Sequence, residues 1–281
     1  TAACMTGKEI VKIERLPDTT GMKNEVIVQA NHYIRYIFMV KMAGAKVVTY
    51  GYINGPGWTT PEQLRGTINE KTAAIFHVEA FHRHNRGSMP LKQVLKVSKE
   101  MGIPVIVDAA PEYDLRKYIS MGADLVVYSG GKWILGPQST GLIAGRKDLI
   151  EACELQDWNL GRPLKVSKEE MVGLITALEL YMRRDWTAYY KAREERIERM
   201  RSELSDIPHV QTKIIRKDER GEPTCMLRLD LDEESLGMSA VEVNKKLVQG
   251  DPSVRVREYN AYLGQLEIEV DSLPIEHDEI L

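Results

Sequence analysis

The sequence predicts an α/β protein, with a three-layer, mostly parallel sheet covered by helices and a smaller C-terminal α+β domain. Short, continuous apolar runs such as IPVIVDAA and ADLVVYS alternate with amphipathic segments, as buried parallel strands alternate with covering helices. After Ser167 the pattern changes to a long helical repeat and then to strands with one polar face. We therefore expect residues 1–165 to form the large domain, 166–203 an interdomain helix and 204–281 the small domain.

The first predicted elements carry recognisable start and stop signals. Asn31 is the expected cap of a helix that ends at Gly44, and AKVVTYG follows as a strand. Thr60, Pro61 and Gln63 are typical of a helix start with a capping box, and TAAIFHVEA then predicts another strand.

The alternation continues through the middle of the chain. PLKQVLKVSKEMG predicts a helix that ends at Gly102, and PEYDLRKYISMG predicts one that ends at Gly122. A capping box from Ser167 to Glu170 opens the long helix. Beyond it, TCMLRLDLD, PSVRVREY and QLEIEVD alternate like half-exposed strands, with SAVEVNKKLVQG as a helix between two of them.

Composition excludes several classes of function. The 281 residues include 38 basic and 41 acidic side chains, so no overall positive field attracts nucleic acid or an anionic membrane. The three cysteines are scattered, which argues against a disulfide framework or a zinc site and favours a reducing, cytoplasmic setting. No apolar run reaches the roughly 18 residues that span a bilayer.

Two consecutive predicted strands end at residues that carry chemistry. Asp108 closes the apolar strand VIVDAA, and Lys132 follows VVYSGG. Because the carboxyl ends of neighbouring parallel strands meet at one edge of a sheet, we expect this acid and this amine to lie close together. A structural ion pair would account for the same two residues.

The residues around this pair favour a cofactor over a simple ion pair. A charged Asp108 at the end of an apolar strand is costly without a partner, and Ala110 is small enough to leave room for a flat ring. Gly131 allows close approach of the backbone, and Ser129 adds a hydroxyl. Pyridoxal 5'-phosphate matches these features, since it needs a lysine for its aldehyde, an acid for its ring nitrogen and donors for its phosphate. The chain has neither the glycine pattern of a dinucleotide site nor a P-loop.

At these residues the chain resembles a known family. The segments IPVIVDAAPE, MGADLVVYSGGKWILGPQSTGLIAGRKDLIEA and GRPLKVSKEEMVGLITALELYM are similar to fold-type I pyridoxal phosphate enzymes related to L-seryl-tRNA(Sec) selenium transferase. The shorter members, such as D-glucosaminate-6-phosphate ammonia-lyase, are the most similar. The resemblance extends over nearly the whole chain.

The resemblance implies roles for individual residues. Lys132 is the expected Schiff-base lysine, Asp108 the partner of the pyridine nitrogen, and Ser129 a phosphate ligand. Gln138 and Ser139, in the turn GPQSTG, are expected to reach the phosphate of a neighbouring subunit, which implies a homodimer or a higher homo-oligomer. The family's glycine- and alanine-rich phosphate cup would precede TAACMTG, and its absence here suggests a fragment of a longer protein.

Other candidates have equally ordinary explanations. His32, at a predicted helix start behind a strand, is a candidate neighbour of the cofactor or a solvated polar residue. His82, Arg83, His84 and Arg86 could bind an anionic substrate, although a charged surface loop explains them as well and no metal site is expected.

Three cationic residues are candidates for substrate binding. Arg162 and Lys165 precede the predicted interdomain helix, from which they could enter a cleft between domains. Arg257 resembles the arginine that similar enzymes use for a substrate carboxylate, although an alternating strand always exposes some charges. Trp133, beside the lysine, either shapes substrate access or fills a domain interface.

The expected function is that of an enzyme that acts on a small, anionic, amino-acid-like substrate. Through an external aldimine, the released Lys132 would remove the α-proton, and elimination of a β-substituent would make the protein an ammonia-lyase. One alternative is a selenium transferase on seryl-tRNA, which neither a basic surface nor a tRNA-binding region supports. The other is a non-catalytic binding module with the same fold.

Overall fold

The computed structural model describes residues 1–53, 58–80, 87–217 and 223–270. The chain divides into two compact units, Thr1–Met182 and Arg183–Leu281. The predicted boundaries after residues 165 and 203 stay a prediction. None of the helices in the described ranges combines the length and apolar character that crossing a membrane requires.

The first unit contains a six-stranded sheet in the order β2-β1-β3-β4-β5-β6. The first five strands are parallel, and the sixth pairs antiparallel with β5, so the mostly parallel sheet is confirmed. The strands are β1 Glu25–Gln29, β2 Lys46–Tyr50, β3 Thr72–Val78, β4 Val105–Asp108, β5 Leu125–Ser129 and β6 Gly141–Gly145.

Helices cover both faces of this sheet. Val105 and Val107 belong to one buried apolar cluster, whereas Ile106, between them, belongs to another. Successive side chains of a strand point to opposite faces, so two clusters on alternate residues are what a three-layer domain requires. The helices are α1 Ala2–Thr6, α2 Ile10–Arg15, α3 Ile37–Met42, α4 Pro61–Thr67, α5 Leu91–Met101, α6 Lys117–Ser120, α7 Lys147–Glu154 and α8 Lys168–Arg183.

Capping residues determine where several helices begin. In α4 the Thr60 hydroxyl accepts the Gln63 N–H at 3.4 Å and the Gln63 side chain accepts the Thr60 N–H at 2.9 Å, which confirms the capping box. In α8 Ser167 and Glu170 exchange the same two bonds, each at 3.2 Å. α5 ends at Gly102 in the left-handed region, as predicted.

Two predicted helices are wrong in extent. Asn31 does not cap a helix. It lies in a single 3-10 turn, and its side chain donates to the Ser88 hydroxyl at 2.6 Å. The helix α3 begins only at Ile37. The helix predicted from residue 111 is only α6. Just before it, the Asp114 carboxylate accepts the N–H groups of Arg116 and Lys117 and so holds the backbone in a turn.

The long helix predicted over 166–203 is two helices, α8 and α9, the latter spanning Trp186–Leu204. Asp185 has extended backbone geometry, and its carboxylate accepts the Ala188 N–H at 3.0 Å. A capping residue of this kind begins a new helix, so the helical periodicity continues in the sequence across a break in the backbone.

The second unit contains an antiparallel sheet in the order β7-β8-β9. Leu227 and Ile268 of this sheet pack against Ile197 and Met200 of α9. A second antiparallel sheet fits the predicted small α+β domain. The remaining elements are β7 Val210–Lys217, β8 Pro223–Leu231, α10 Glu233–Leu236, α11 Ala240–Gln249 and β9 Gln265–Glu269.

The strand predicted over 252–259 does not form. This segment makes a single antiparallel bridge, in which Arg257 and Glu267 exchange backbone hydrogen bonds of 2.8 and 3.0 Å. Its alternation arises because Val256 packs against two apolar clusters of the second unit while Arg255 is exposed. One-sided burial therefore produced a strand-like pattern without a ladder of hydrogen bonds.

Candidate active site

Asp108 and Lys132 lie at the same edge of the large sheet. Asp108 is the last residue of β4 and pairs with Val78 of β3 and Val127 of β5. Lys132 stands in the turn that begins directly after β5 ends at Ser129. The predicted juxtaposition follows from the parallel register, which brings the carboxyl ends of β3, β4 and β5 together.

The Asp108 carboxyl is half-buried and interacts electrostatically with Lys132. Burial raises its pKa above the ordinary value of an aspartate, and two weaker effects lower it: the Ala110 N–H, which donates to Oδ1 at 3.1 Å, and the Lys132 ammonium. Within the part of the chain that the structure describes, the Asp108 side chain accepts no hydrogen bond besides the one from the Ala110 N–H. The carboxylate thus retains acceptor capacity for a cationic or N–H group beside Lys132.

The turn that carries Lys132 has a firmly held backbone and an exposed lysine side chain. The Gly136 N–H donates to the Gly130 carbonyl at 2.7 Å, and the Leu135 N–H donates to the Lys132 carbonyl at 2.9 Å. Leu135 itself adopts a φ of 60°, which is uncommon for a residue other than glycine. The lysine side chain therefore projects from a fixed backbone.

The two glycines before Lys132 are required by contacts within the same chain. A Cβ on Gly130 would lie 2.0 Å from the Thr140 hydroxyl oxygen, and one on Gly131 would lie 2.6 Å from the Gln138 side-chain oxygen. Their close neighbour is therefore the turn 138–140, whereas sequence reasoning expected a ligand there.

Gln138 and Ser139 have partners in their own subunit. Gln138 donates from its side chain to the Gly131 carbonyl at 3.2 Å, and the Ser139 hydroxyl donates to the Glu170 carboxylate at the start of α8. This hydrogen bond lowers the pKa of the Glu170 carboxyl. Binding to the phosphate of a neighbouring subunit stays a prediction.

The remaining residues at this edge are also available for a ligand. Ser129 is half-buried and pairs with Gly141 of β6, and its hydroxyl makes no hydrogen bond with any residue the structure describes. Ala110 is half-buried as well and contributes its N–H to Asp108. The phosphate-binding role of Ser129 stays a prediction.

His32 belongs to a buried polar cluster that sequence reasoning only partly found. It is 1% exposed, its Nδ1 accepts the Val78 N–H at 3.2 Å, and its ring meets His77 edge-on with 4.5 Å between centroids. His77 in turn lies 3.1 Å from a Glu79 oxygen. His77 and Glu79 were missed, although two polar residues in the apolar run TAAIFHVEA were a signal. Whether His32 contacts the cofactor stays a prediction.

The candidate substrate-binding residues lie in separate parts of the chain. Arg162 begins a 3-10 turn, Arg162–Leu164, and is exposed, with Asp157 3.4 Å away, and Lys165 is exposed directly after it. In the second unit, Arg257 lies 3.9 Å from Glu267 and 3.4 Å from Glu269. The substrate roles of all three stay predictions.

The histidine and arginine cluster at residues 82–86 lies outside the described residues. Among the residues that are described, no group of three or more histidine, cysteine, aspartate and glutamate side chains is arranged to hold a metal ion.

Comparisons with known proteins relate the chain to one family. The family model described as L-seryl-tRNA selenium transferase matches residues 34–197. An L-seryl-tRNA(Sec) selenium transferase from Aquifex aeolicus is 26% identical over 253 residues, covering 78% of this chain and 55% of that protein.

Two other curated relatives match over almost the whole chain. A 5'-C-glycyluridine monooxygenase-decarboxylase from a Streptomyces species is 33% identical over 284 residues, covering 99% of this chain and 70% of that protein. A D-glucosaminate-6-phosphate ammonia lyase from Salmonella typhimurium is 33% identical over 275 residues, covering 95% and 71%.

The fold agrees with the second of these relatives. A solved structure of D-glucosaminate-6-phosphate ammonia-lyase superposes with a TM-score of 0.81 at 31% identity, covering 99% of this chain and 74% of that one.

Proposed function

We propose a function for this chain, which belongs to the L-seryl-tRNA selenium transferase family. The chain is an ammonia-lyase that depends on pyridoxal 5'-phosphate and acts on a small, anionic, amino-acid-like substrate. The D-glucosaminate-6-phosphate ammonia lyase that is 33% identical supports the lyase reaction. The observation that carries the proposal is the position of Asp108 and Lys132 at the carboxyl ends of the adjacent parallel strands β4 and β5.

The residues at this edge fit the cofactor. Lys132 would hold it covalently, and Asp108, whose carboxylate accepts a single N–H from the described residues, has acceptor capacity for the ring nitrogen. Ala110, Ser129 and Gly131 would lie beside the ring and its phosphate. The further candidates for this site are His32, Gln138 and Ser139. When bound, pyridoxal phosphate supplies an electron sink for charge that develops at the substrate's α-carbon.

The chain's own residues supply binding and proton transfer. The exposed Nζ of Lys132, once neutral, would take the proton from the α-carbon as general base. The Asp108 carboxylate would keep the cofactor's ring nitrogen protonated and so stabilise positive charge there. Arg162, Lys165 and Arg257 would bind the anionic groups of the substrate.

We further propose that the enzyme works in the cytoplasm as a homodimer or larger homo-oligomer. Cys4, Cys153 and Cys225 form no disulfide in the part of the chain that the structure describes, and unbridged cysteines are typical of a reducing compartment. In the oligomer, Gln138 and Ser139 would approach the phosphate held by the neighbouring subunit.

Two other reactions are supported by specific relatives. The family model supports a selenium transferase on seryl-tRNA, although the net charge of −3 gives tRNA binding no electrostatic support. The Streptomyces relative, similar over 99% of the chain, supports oxidative decarboxylation of a glycyl-bearing substrate. Both reactions would use the same lysine and aspartate.

Cofactor capture and reaction class can be tested together. Purified protein is incubated with pyridoxal phosphate, and unbound cofactor is removed by gel filtration. Visible absorbance is then recorded for the wild type, Lys132→Ala and the exposed helix lysine variant Lys92→Ala. We expect a visible band in the wild type and in Lys92→Ala and none in Lys132→Ala. A colourless wild type would leave only the non-catalytic module.

Ammonia released from D-glucosaminate 6-phosphate would support the lyase, and a shift of tRNA mobility at physiological salt would support the transferase instead.

A further inference from the structure

Trp133 connects the two segments that carry the paired acid and amine. It follows Lys132 directly in the chain, and its indole Nε1–H donates to the Pro111 carbonyl at 3.0 Å. Pro111 lies three residues beyond Asp108. One hydrogen bond therefore joins the turn after β5 to the loop after β4.

The receiving loop is itself held at several points. The Ala109 N–H donates to Val127 of β5 at 2.9 Å, and the Glu112 N–H donates back to the Ala109 carbonyl at 3.0 Å. The buried Glu112 carboxylate accepts the Tyr118 hydroxyl at 2.7 Å. The Pro111 carbonyl is thus a fixed acceptor and not part of a loose loop.

An aromatic contact adds to the hydrogen bond. The Trp133 ring lies 5.7 Å from the ring of Tyr113, tilted by 58°. The Tyr113 carbonyl accepts the Tyr181 hydroxyl from α8, which anchors that end of the loop as well. The indole is therefore oriented by both its ring face and its N–H, as aromatic side chains with a polar group usually are when partly buried.

The geometry has a direct consequence for Lys132. Displacement of the Lys132 backbone away from β4 would break the indole hydrogen bond. Trp133 is the residue next to Lys132, and its acceptor, Pro111, lies in the loop after β4. Phenylalanine at this position separates packing of the ring from the hydrogen bond, because it keeps an aromatic ring and removes the N–H.

We propose that Trp133 is a positioning residue that sets the spacing between the Asp108 carboxylate and the Lys132 amine. This inference rests on the proposed capture of pyridoxal phosphate by Lys132. It extends that function to a residue that donates its indole N–H to the loop after β4.

The first test needs no cofactor. Hydrogen exchange is measured for residues 109–113 and 130–136 in the wild type, Trp133→Phe and Trp158→Phe, the last removing a tryptophan that is 71% exposed. We expect exchange in both segments to become roughly fivefold faster in Trp133→Phe, the size of effect that loss of one hydrogen bond produces. Trp158→Phe should match the wild type. Unchanged exchange in Trp133→Phe would show that the Trp133–Pro111 hydrogen bond, called the brace below, does not hold the two segments together.

The second test asks whether the Trp133–Pro111 hydrogen bond changes the contribution of Asp108 to cofactor binding at Lys132. Apparent affinity for pyridoxal phosphate is measured for the wild type, Asp108→Asn, Trp133→Phe and the double variant, by trapping the bound cofactor with borohydride. If Trp133 sets the spacing, Asp108→Asn should weaken binding at least roughly threefold more in the wild type than in the Trp133→Phe background.

Additive effects would contradict the positioning role, because a purely structural loss does not change the coupling between two other groups. Absence of any trapped cofactor in the wild type would instead reject the proposed function and this role with it, while the exchange result would still report on the brace.

Discussion

The Lys132 ammonium and the Asp108 carboxylate interact electrostatically across the ends of β5 and β4, two adjacent parallel strands. Burial raises the pKa of the Asp108 carboxyl by more than the lysine lowers it, so this pKa is raised overall. A partly buried acid with spare acceptor capacity and a raised pKa costs the fold stability when it is charged. Such a cost is typical of residues kept for function.

Replacing Asp108 should therefore stabilise the protein at neutral pH. A carboxyl whose pKa is raised in the folded state contributes stability at low pH, which is lost as the pH rises through that raised value. The asparagine side chain does not titrate, so Asp108→Asn should increase the free energy of unfolding by about 1 kcal/mol at neutral pH and by nothing in acid. Urea unfolding of the cofactor-free protein at both pH values measures this difference.

The exposed Asp206 provides the control for that measurement, since Asp206→Asn should leave the free energy of unfolding unchanged at both pH values. A destabilised Asp108→Asn variant at neutral pH would mean that the charged carboxylate supports the fold, and a purely structural ion pair would then be the better description.

The Lys132 turn should not tolerate a side chain at Gly130. A Cβ there would lie 2.0 Å from the Thr140 hydroxyl and 3.0 Å from its backbone carbonyl carbon, so Gly130→Ala should lower the free energy of unfolding by about 2 kcal/mol. Gly66 offers a matched control inside α4, where the structure describes no atom outside the helix within 4 Å of a Cβ. Gly66→Ala should raise stability by roughly 0.5 kcal/mol. Equal effects of the two variants in thermal unfolding would refute the close packing of the turn.

Arg257 should contribute to stability whether or not it binds substrate. Its partner Glu267 has a side chain only 10% exposed, and removing the guanidinium would leave that carboxylate without this ion pair. Arg257→Gln should therefore cost about 2 kcal/mol, less than for a fully buried pair. The exposed Arg255, two residues earlier, serves as the control in the same urea titration. If Arg257→Gln were as stable as Arg255→Gln, the ion pairs would be marginal and a substrate role would gain support.

The sheet and the Asp108–Lys132 pair could be predicted because local signals determine both. Continuous apolar runs such as VIV before Asp108 indicate buried parallel strands, and parallel register then places the residues at the strand ends together. The small and polar residues around the pair indicated pyridoxal phosphate, and resemblance to a family supplied the roles of individual residues, which strand positions alone do not specify.

Other features depend on tertiary contacts that no local pattern reports. Asn31 has the composition of a cap but donates to Ser88, 57 residues away. The break at Asp185 leaves the helical periodicity intact, and the segment around Arg257 alternates through one-sided burial. The element was thus assigned wrongly where a distant partner determined the backbone, as at Asn31, and where a local cap interrupted an unbroken periodicity, as at Asp185.

Capture of the cofactor by Lys132 can be observed by mapping the lysine to which the cofactor is attached. The wild-type protein is incubated with pyridoxal phosphate, reduced with borohydride, digested and examined by peptide mass spectrometry. We expect the added mass of the reduced cofactor on the peptide that contains Lys132, and its loss in Lys132→Ala. Label on another lysine, or label spread equally over exposed lysines such as Lys92, would contradict the assignment of this edge of the sheet as an active site.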